Sequence, residues 1–402
     1  MKIIELIEHQ SKLFKPEELE EAIADLIYHH YSKYIKIEYP SPKTQKQYKL
    51  TAKSYVGFIP LTPDIQILLK PKVPIANLFR MLEYTYNLKS FQLLEGSVHC
   101  ETLPEFYNRL ADILTQKILA QSRKGFYRTY LKNTELLPYV RGKVDFKYQF
   151  KHPGTVKLNC EYNQYTADIE DNQILLWTLY IIGRSGLCSE QLSTTVRKAY
   201  HTLQGLATQR PFKGDDCINR SYNLLNQDYQ ILHSLCRFFL DHCGVAHQVG
   251  NYQMFPFLVR TDILYERFIY AWLKFHLPAN FEIKAQEIFD FCKIIESKID
   301  LVIYDKNTKK VSFILDTKYK IPDSKPSNSD IYQAIAYATF KKSQNAILVY
   351  PKPLNQSLNC LFPNSSIQLK SLTFSLEDDL EECGQRFLKA LLNSDLNQHY
   401  NY

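Results

Sequence analysis

Apolar positions along the chain follow two periods, and the places where the period changes mark its elements. "PEELEEAIADLIYHHYSKY" puts Leu19, Ile23, Leu26 and Ile27 on one helical stripe, with Pro16 and the following glutamates suited to a first turn. "YVGFIPL" and "IQILLKPKV" are β-rich runs, the second ending at Pro71, and "IANLFRMLEYTYNL" returns to helical spacing. A long helix is expected from about Leu103 to Lys132. "YVRGKVDFKYQF" reads as a strand after a turn, and the stretch from Asn172 to Leu240 as mostly helix, broken at "RPFKGDDC". The pattern changes again at "GVAHQVGNYQMFPF", which holds Gly244, Gly250 and Pro256. These breaks give an α+β region over residues 1–100, a mostly helical region over 101–250 and a last domain over 251–402.

The last domain has the sharpest pattern. "TDILYERFIYAWLKFHL" is a helix, capped by Thr261 or Asp262, with Leu264, Phe268, Ala271 and Phe275 on one face and Ile269, Tyr270 and Leu273 on the other. Glu266 falls on the second apolar face, where a carboxylate needs either a basic partner or a metal. "FEIKAQEIF" is a candidate strand. Two β-rich runs, Ile299–Tyr304 and Val311–Leu315, then flank the turn "DKNTKK" as a hairpin. "SNSDIYQAIAYATFKK" is a helix starting near Ser329 or Asp330, with Gln333 and Tyr337 four apart on one face, and "NAILVYP" is a buried strand. The fold class expected is mixed α/β.

The hairpin brings chemistry together. With the turn centred between Asn307 and Thr308, residues whose numbers sum to about 615 face each other, so Asp300 lies opposite Leu315 or Asp316. Opposed side chains sit within roughly 5.5 Å. Lys318, two residues past Asp316, points to the same face. Asp and Lys at a strand end are often only solvated. Here an apolar strand, "FILD", runs straight into the charged pair, and a second carboxylate stands opposite. Two Asp side chains hold Mg²⁺ with several waters still bound. The ion lowers the pKa of a bound water and neutralises phosphate charge. Lys318 would orient that water and stabilise the developing anion, and Glu266 would add a ligand or shape the water shell.

Composition adds less. Hydrophobic residues at 45% and charged residues at 23% are ordinary globular usage and exclude a disordered chain. A net charge of +7 suits a nucleic-acid partner and equally a mixed-charge surface. The nine cysteines are odd in number, dispersed and without a CxxC pair, which fits reduced thiols in the cytoplasm. His233, Cys236, His242, Cys243 and His247 cluster in sequence but match no standard zinc spacing, and "QILHSLCRFFLDHC" reads as a buried helix. The start "MKIIELIEHQSKLF" has no signal-peptide pattern, and the longest apolar runs, such as "ILLWTLYIIG", fall short of a membrane span. There is no GxxxxGK[ST], so no nucleotide site of its own is expected. Arg141 and Lys143 are candidate partner or phosphate contacts and more commonly solvated charges. Asp168 and Asn172 open the helix of "ADIEDNQILL", most simply as cap and first-turn residues.

"KID", "ILDTKYK" and "DIYQAIAYA" resemble the motifs of the PD-(D/E)XK nuclease superfamily, and within it the McrC family of nuclease subunits from McrBC restriction systems. Ile299 stands where a Pro usually precedes the first Asp. "VGFIPLTPDIQILLKPKVPIANLFRMLEY", "YVRGKVDF" and "ADIEDNQILLWTL" resemble further landmarks of that family. The resemblance implies a restriction-endonuclease-like core of order α-β-β-β-α-β. It implies catalytic roles for Asp300, Asp316 and Lys318, with Glu266 as the acidic residue of the first helix. It gives DNA-positioning roles to Gln333 and Tyr337, with Lys320 beside them. It further implies Mg²⁺, for which Mn²⁺ would substitute, double-stranded DNA as substrate, and a hexameric McrB-like AAA+ GTPase as partner. Two alternatives stay open: a stand-alone nuclease of repair or another defence system, and a catalytically silent regulator of an AAA+ ring.

Overall fold

The computed structural model describes residues 2–396 except 63, 89–99, 245–246, 250–251, 292–294, 321–324 and 364. In chain order the first part forms β1 (Lys2–Ile7), β2 (Ser11–Phe14), α1 (Glu21–Tyr31), β3 (Ile35–Glu38), β4 (Tyr48–Ala52), β5 (Tyr55–Thr62), β6 (Ile65–Lys70) and α2 (Ile75–Thr85). Helix α1 begins later than its apolar stripe suggests. Lys15 and Glu18 close a turn through the Glu18 carboxylate, which accepts from the Lys15 amide at 2.9 Å. Leu19 still enters the core from that turn. Strand β6 stops before Pro71, as expected for a residue with no amide to donate.

The middle part forms α3 (Leu103–Lys124), β7 (Thr129–Leu137), β8 (Lys143–Val144), α4 (Phe146–Lys151), β9 (Leu158–Thr166), α5 (Glu170–Arg184), α6 (Glu190–Gln204), α7 (Tyr229–His242), β10 (His247–Val249) and β11 (Tyr252–Met254). Two expectations are corrected here. Helix α3 ends at Lys124, because Gly125 takes φ of +97° and turns the chain into β7. "YVRGKVDFKYQF" is not one strand: Gly142 turns at φ of +68°, β8 lasts two residues, and Asp145 caps α4 by accepting from the Tyr148 amide at 3.1 Å. In the three-stranded sheet β7-β9-β8 only β8, inside the expected strand, has a counterpart among the predicted elements.

The last part forms β12 (Phe257–Arg260), α8 (Thr261–His276), β13 (Phe281–Phe291), β14 (Ile295–Asp305), β15 (Val311–Thr317), α9 (Asn328–Lys341), β16 (Asn345–Tyr350), β17 (Asn359–Leu361), β18 (Gln368–Thr373) and α10 (Leu380–Leu396). From α8 to β16 the order is α-β-β-β-α-β. Strands pair as β13-β14-β15-β16-β18-β17, antiparallel across the hairpins and parallel where β15 meets β16 and β16 meets β18.

The chain falls into two compact units, one from residues 104–257 and one from residues 1–103 together with 258–402. The N-terminal and C-terminal regions, read apart in the sequence, therefore share a unit. The reason lies in long-range pairing. Strand β12 joins β5 at the edge of the sheet β1-β6-β5-β12, and the chain passes directly from β12 into α8. The Asn77 side chain on α2 donates to the carbonyls of Leu376 and Asp378, each at 2.9 Å. One core of this unit packs α1 residues Ile23, Ala24 and Ile27 on Leu50, Ile59, Ile67 and Leu69. Another packs Ala334, Ile335 and Ala338 of α9 on Val302, Ile314, Ala346 and Leu348. Among the described residues no helix is long and apolar enough to cross a membrane.

Candidate active site

Asp316 sits at the end of β15, third of six strands, and its position follows from pairing. Near the turn Tyr304 faces Val311; a bulge then shifts the register by one, and Leu301 faces Leu315. The next step sets Asp300 against Asp316, the second of the two registers the sequence allowed. Asp316 alternates with Ile314, which packs under α9, so both carboxylates lie on the face that α9 covers. The β14–β15 ladder ends at Leu301↔Leu315, and beyond it the Asp300 carboxylate takes over. Its Oδ2 accepts from the Thr317 amide at 2.8 Å and the Thr317 hydroxyl at 3.0 Å.

Asp316 is fully buried, and neither of its carboxylate oxygens accepts a hydrogen bond. Lys318 Nζ stands 2.7 Å from Asp316 Oδ2, an ion pair in distance but not aligned as a hydrogen bond. Burial pushes the Asp316 carboxyl up to about 7; the Asp300 charge adds to this and Lys318 opposes it. Asp300 is also raised, by burial, against the two bonds from Thr317. Burial disfavours the Lys318 ammonium, but the Asp316 and Asp300 charges outweigh it and lift its pKa.

Helix α9 supports this group. The Lys318 ammonium donates to Gln333 Oε1 at 3.0 Å, and Gln333 Nε2 donates to the Tyr337 hydroxyl at 2.6 Å. The four-residue spacing of Gln333 and Tyr337 thus becomes a relay that ends on Lys318. Helix α9 begins at Asn328, next to the expected Ser329, and Ser327 caps it by accepting from the Asp330 amide at 3.3 Å. Lys320 is held to Asp330, Nζ to Oδ2 at 2.5 Å. Glu266 on α8 accepts a bond from the Gln286 side chain. Its carboxyl is pushed up to about 7 by burial and then by the charge of Asp300.

Gln286 carries no signal in the sequence, and Asp330 reads there only as a helix-start residue. Gln286 takes φ of +53° within β13, and since Ala285↔Leu301 and Glu287↔Ile299 keep one register, it falls opposite Asp300. Among the described residues no group of three or more His, Cys, Asp or Glu side chains is placed to hold an ion. Asp300 and Asp316 converge as a pair, with the charge of Asp300 reaching Glu266 and that of Asp330 reaching Asp316.

Known proteins resemble this chain along most of its length. The model of the family described as McrBC 5-methylcytosine restriction system component matches residues 50–351. The chain belongs to this McrBC family. The Escherichia coli (strain K12) type IV methyl-directed restriction enzyme EcoKMcrBC is 22% identical over 310 residues, covering 70% of this chain and 87% of that one. The fold is also that of a chain in a refined half-complex of Thermococcus gammatolerans McrB AAA+ hexamers with bound McrC. There the TM-score is 0.57 at 17% identity, over 98% of this chain and 100% of that one.

Most of the remaining candidates of this McrBC-family chain have structural partners. The Arg141 guanidinium stacks on Tyr162, 3.9 Å from the ring centroid, and Lys143 lies exposed on β8. Asp168 accepts from Gln173 at 2.7 Å and from the Thr208 amide and hydroxyl at 2.7 and 2.6 Å. Asn172 is buried, donates to the carbonyls of Tyr127 and Ala167, and accepts from the Tyr229 hydroxyl at 2.6 Å. His233 and Cys236 are buried inside α7, and the His233 ring bonds the Tyr222 hydroxyl at 2.9 Å.

Proposed function

We propose that this protein is the metal-dependent endonuclease subunit of a McrBC-like restriction system. It would hydrolyse phosphodiester bonds of double-stranded DNA on a PD-(D/E)XK core, acting with a hexameric AAA+ GTPase of the McrB type that recognises modified DNA. One observation carries the reading: a fully buried Asp316 whose two oxygens accept no hydrogen bond, beside Asp300 and Lys318. A buried carboxylate with Lys318 at one oxygen and no hydrogen bond at the other remains costly, and a hard divalent cation is a group that offsets that cost.

The residues fit that cation. Asp300 and Asp316 would hold Mg²⁺, or Mn²⁺ in its place, with waters filling the other positions and Glu266 shaping that water shell. When bound, the ion supplies Lewis-acid stabilisation of the phosphate and a more acidic water. Lys318, fixed between Asp316 and Gln333, orients the attacking water and stabilises charge on the phosphate oxygens. Gln333 and Tyr337 hold Lys318 in place, and with Lys320 border the path of the DNA. Partner dependence rests on family membership.

The test is plasmid cleavage in Mg²⁺ with methylated and unmethylated DNA, by wild type and Asp316→Ala, with and without the AAA+ partner and GTP. Cleavage of methylated DNA only with the partner and GTP, absent in Asp316→Ala, is the expected result. Cleavage without a partner points to a stand-alone nuclease. Equal cleavage by wild type and Asp316→Ala contradicts the site.

A further inference from the structure

One buried carboxylate ties the candidate site to the first strand of the chain. Glu8, just past β1, is 1% exposed. Its Oε1 accepts from the Thr261 hydroxyl at 2.5 Å, and its Oε2 from the Tyr319 hydroxyl at 3.4 Å. Tyr319 is the residue between Lys318 and Lys320, and it too is buried. Lys72, just past β6, lies over the Tyr319 ring, 4.0 Å from its centroid, and donates to the Tyr319 carbonyl at 3.3 Å. Behind Tyr319, the ring of Tyr265 packs at 5.6 Å, and Tyr265 precedes Glu266 on α8. His9 Nε2 lies 3.5 Å from Glu8 Oε1.

An apolar residue would fill the space of Glu8 at lower cost than a buried carboxylate. What the carboxylate adds is direction: it grips a helix start and a tyrosine hydroxyl at once. Lys72 grips the same tyrosine by ring and carbonyl. A site of this type tolerates little displacement of its charged groups.

We propose that Glu8 and Lys72 are positioning residues for the hydrolytic site. By holding the hydroxyl, ring and carbonyl of Tyr319 they fix the backbone on which Lys318 stands, and so keep its ammonium at Asp316. The inference rests on the nuclease reading above. It makes the N-terminal sheet a working part of the site and not only its support.

Tyr319→Phe removes a single oxygen, and Glu8→Gln keeps the shape of the side chain. Each is measured in the full chain with its AAA+ partner, GTP and methylated plasmid. Each variant is expected to lower kcat by about tenfold while KM for DNA stays within about twofold. The double variant should lose no more than the worse single one, because both act through one clamp. A second readout is independent of cleavage. Hydrogen exchange at the Lys318 amide, bonded to the Val349 carbonyl at 2.8 Å, should quicken in both variants while β16 amides hold. Wild-type kcat together with unchanged exchange overturns the proposal, as does a loss that follows melting temperature or KM instead of kcat. If the wild type itself does not cleave, the nuclease reading has failed, and the exchange result alone decides whether the clamp exists.

Discussion

Asp316 is the residue on which the proposed chemistry turns. Both its oxygens are buried without hydrogen bonds, and its carboxyl is pushed up to about 7, chiefly by burial. The metal-free folded protein therefore holds this proton more tightly than the unfolded chain does. The stability linked to it is present below the ordinary carboxylate range and is lost as pH rises toward about 7. The proposed divalent cation would compete with the same proton. Excess Mg²⁺ should raise the melting temperature clearly at about pH 8 and little at about pH 6, and Asp316→Asn should abolish the shift. Calorimetry at both pH values checks this; an equal Mg²⁺ shift in Asp316→Asn would place the ion elsewhere. In the proposed mechanism Lys318 stands one step further into the chemistry. Lys318→Ala should lower kcat by roughly 10²–10³. Gln333→Ala, which only loosens the ammonium, should cost about tenfold. Single-turnover cleavage separates the two, and a Gln333→Ala loss as deep as that of Lys318→Ala would give Gln333 a direct role.

The elements of this site were legible where the signal is local. A hairpin with a readable turn places Asp300 against Asp316 to within one residue, and the bulge between Ile303 and Tyr304 settles which. Spacing alone puts Gln333 and Tyr337 on one face of α9. Gln286 was not legible, because a left-handed residue inside β13 depends on its pairing with β14. In the middle unit the error was one of range. Apolar spacing ran α3 on past Gly125, and β7 exists because β9, far along the chain, pairs with it. Asn172 shows the same limit: its position reads as a helix first turn, while its side chain joins α5 to the Tyr127 carbonyl and to Tyr229. Asn172→Ala should destabilise this unit by about 2–3 kcal/mol, since it strands buried polar partners. The urea midpoint should fall while the Mg²⁺-induced shift of the other unit persists. A change below about 0.5 kcal/mol would mean those bonds are readily replaced by water.

At the scale of the whole chain, periodicity divides what pairing joins. Residues 1–100 and 251–402 differ in pattern, and a boundary near Gly250 follows from that. Yet β12 pairs with β5, α2 bonds the Leu376 and Asp378 carbonyls, and Thr261 bonds Glu8. These contacts lie hundreds of positions apart and leave no local trace. A fragment of residues 258–402 should therefore not fold by itself, and adding residues 1–103 as a second chain should restore it. Circular dichroism and proteolysis of the fragment, alone and mixed, check this; cooperative unfolding of the fragment alone would show that the fold of residues 258–402 is autonomous. The central claim, that Asp300, Asp316 and Lys318 form a metal-dependent DNA-cleaving site, is tested most directly by the single-turnover cleavage rate of methylated plasmid in Mg²⁺. Wild type and Asp316→Ala are compared, each with the AAA+ partner and GTP. Cleavage by the wild type that EDTA abolishes, and that Asp316→Ala lacks, is the expected result; cleavage by Asp316→Ala at the wild-type rate would contradict it.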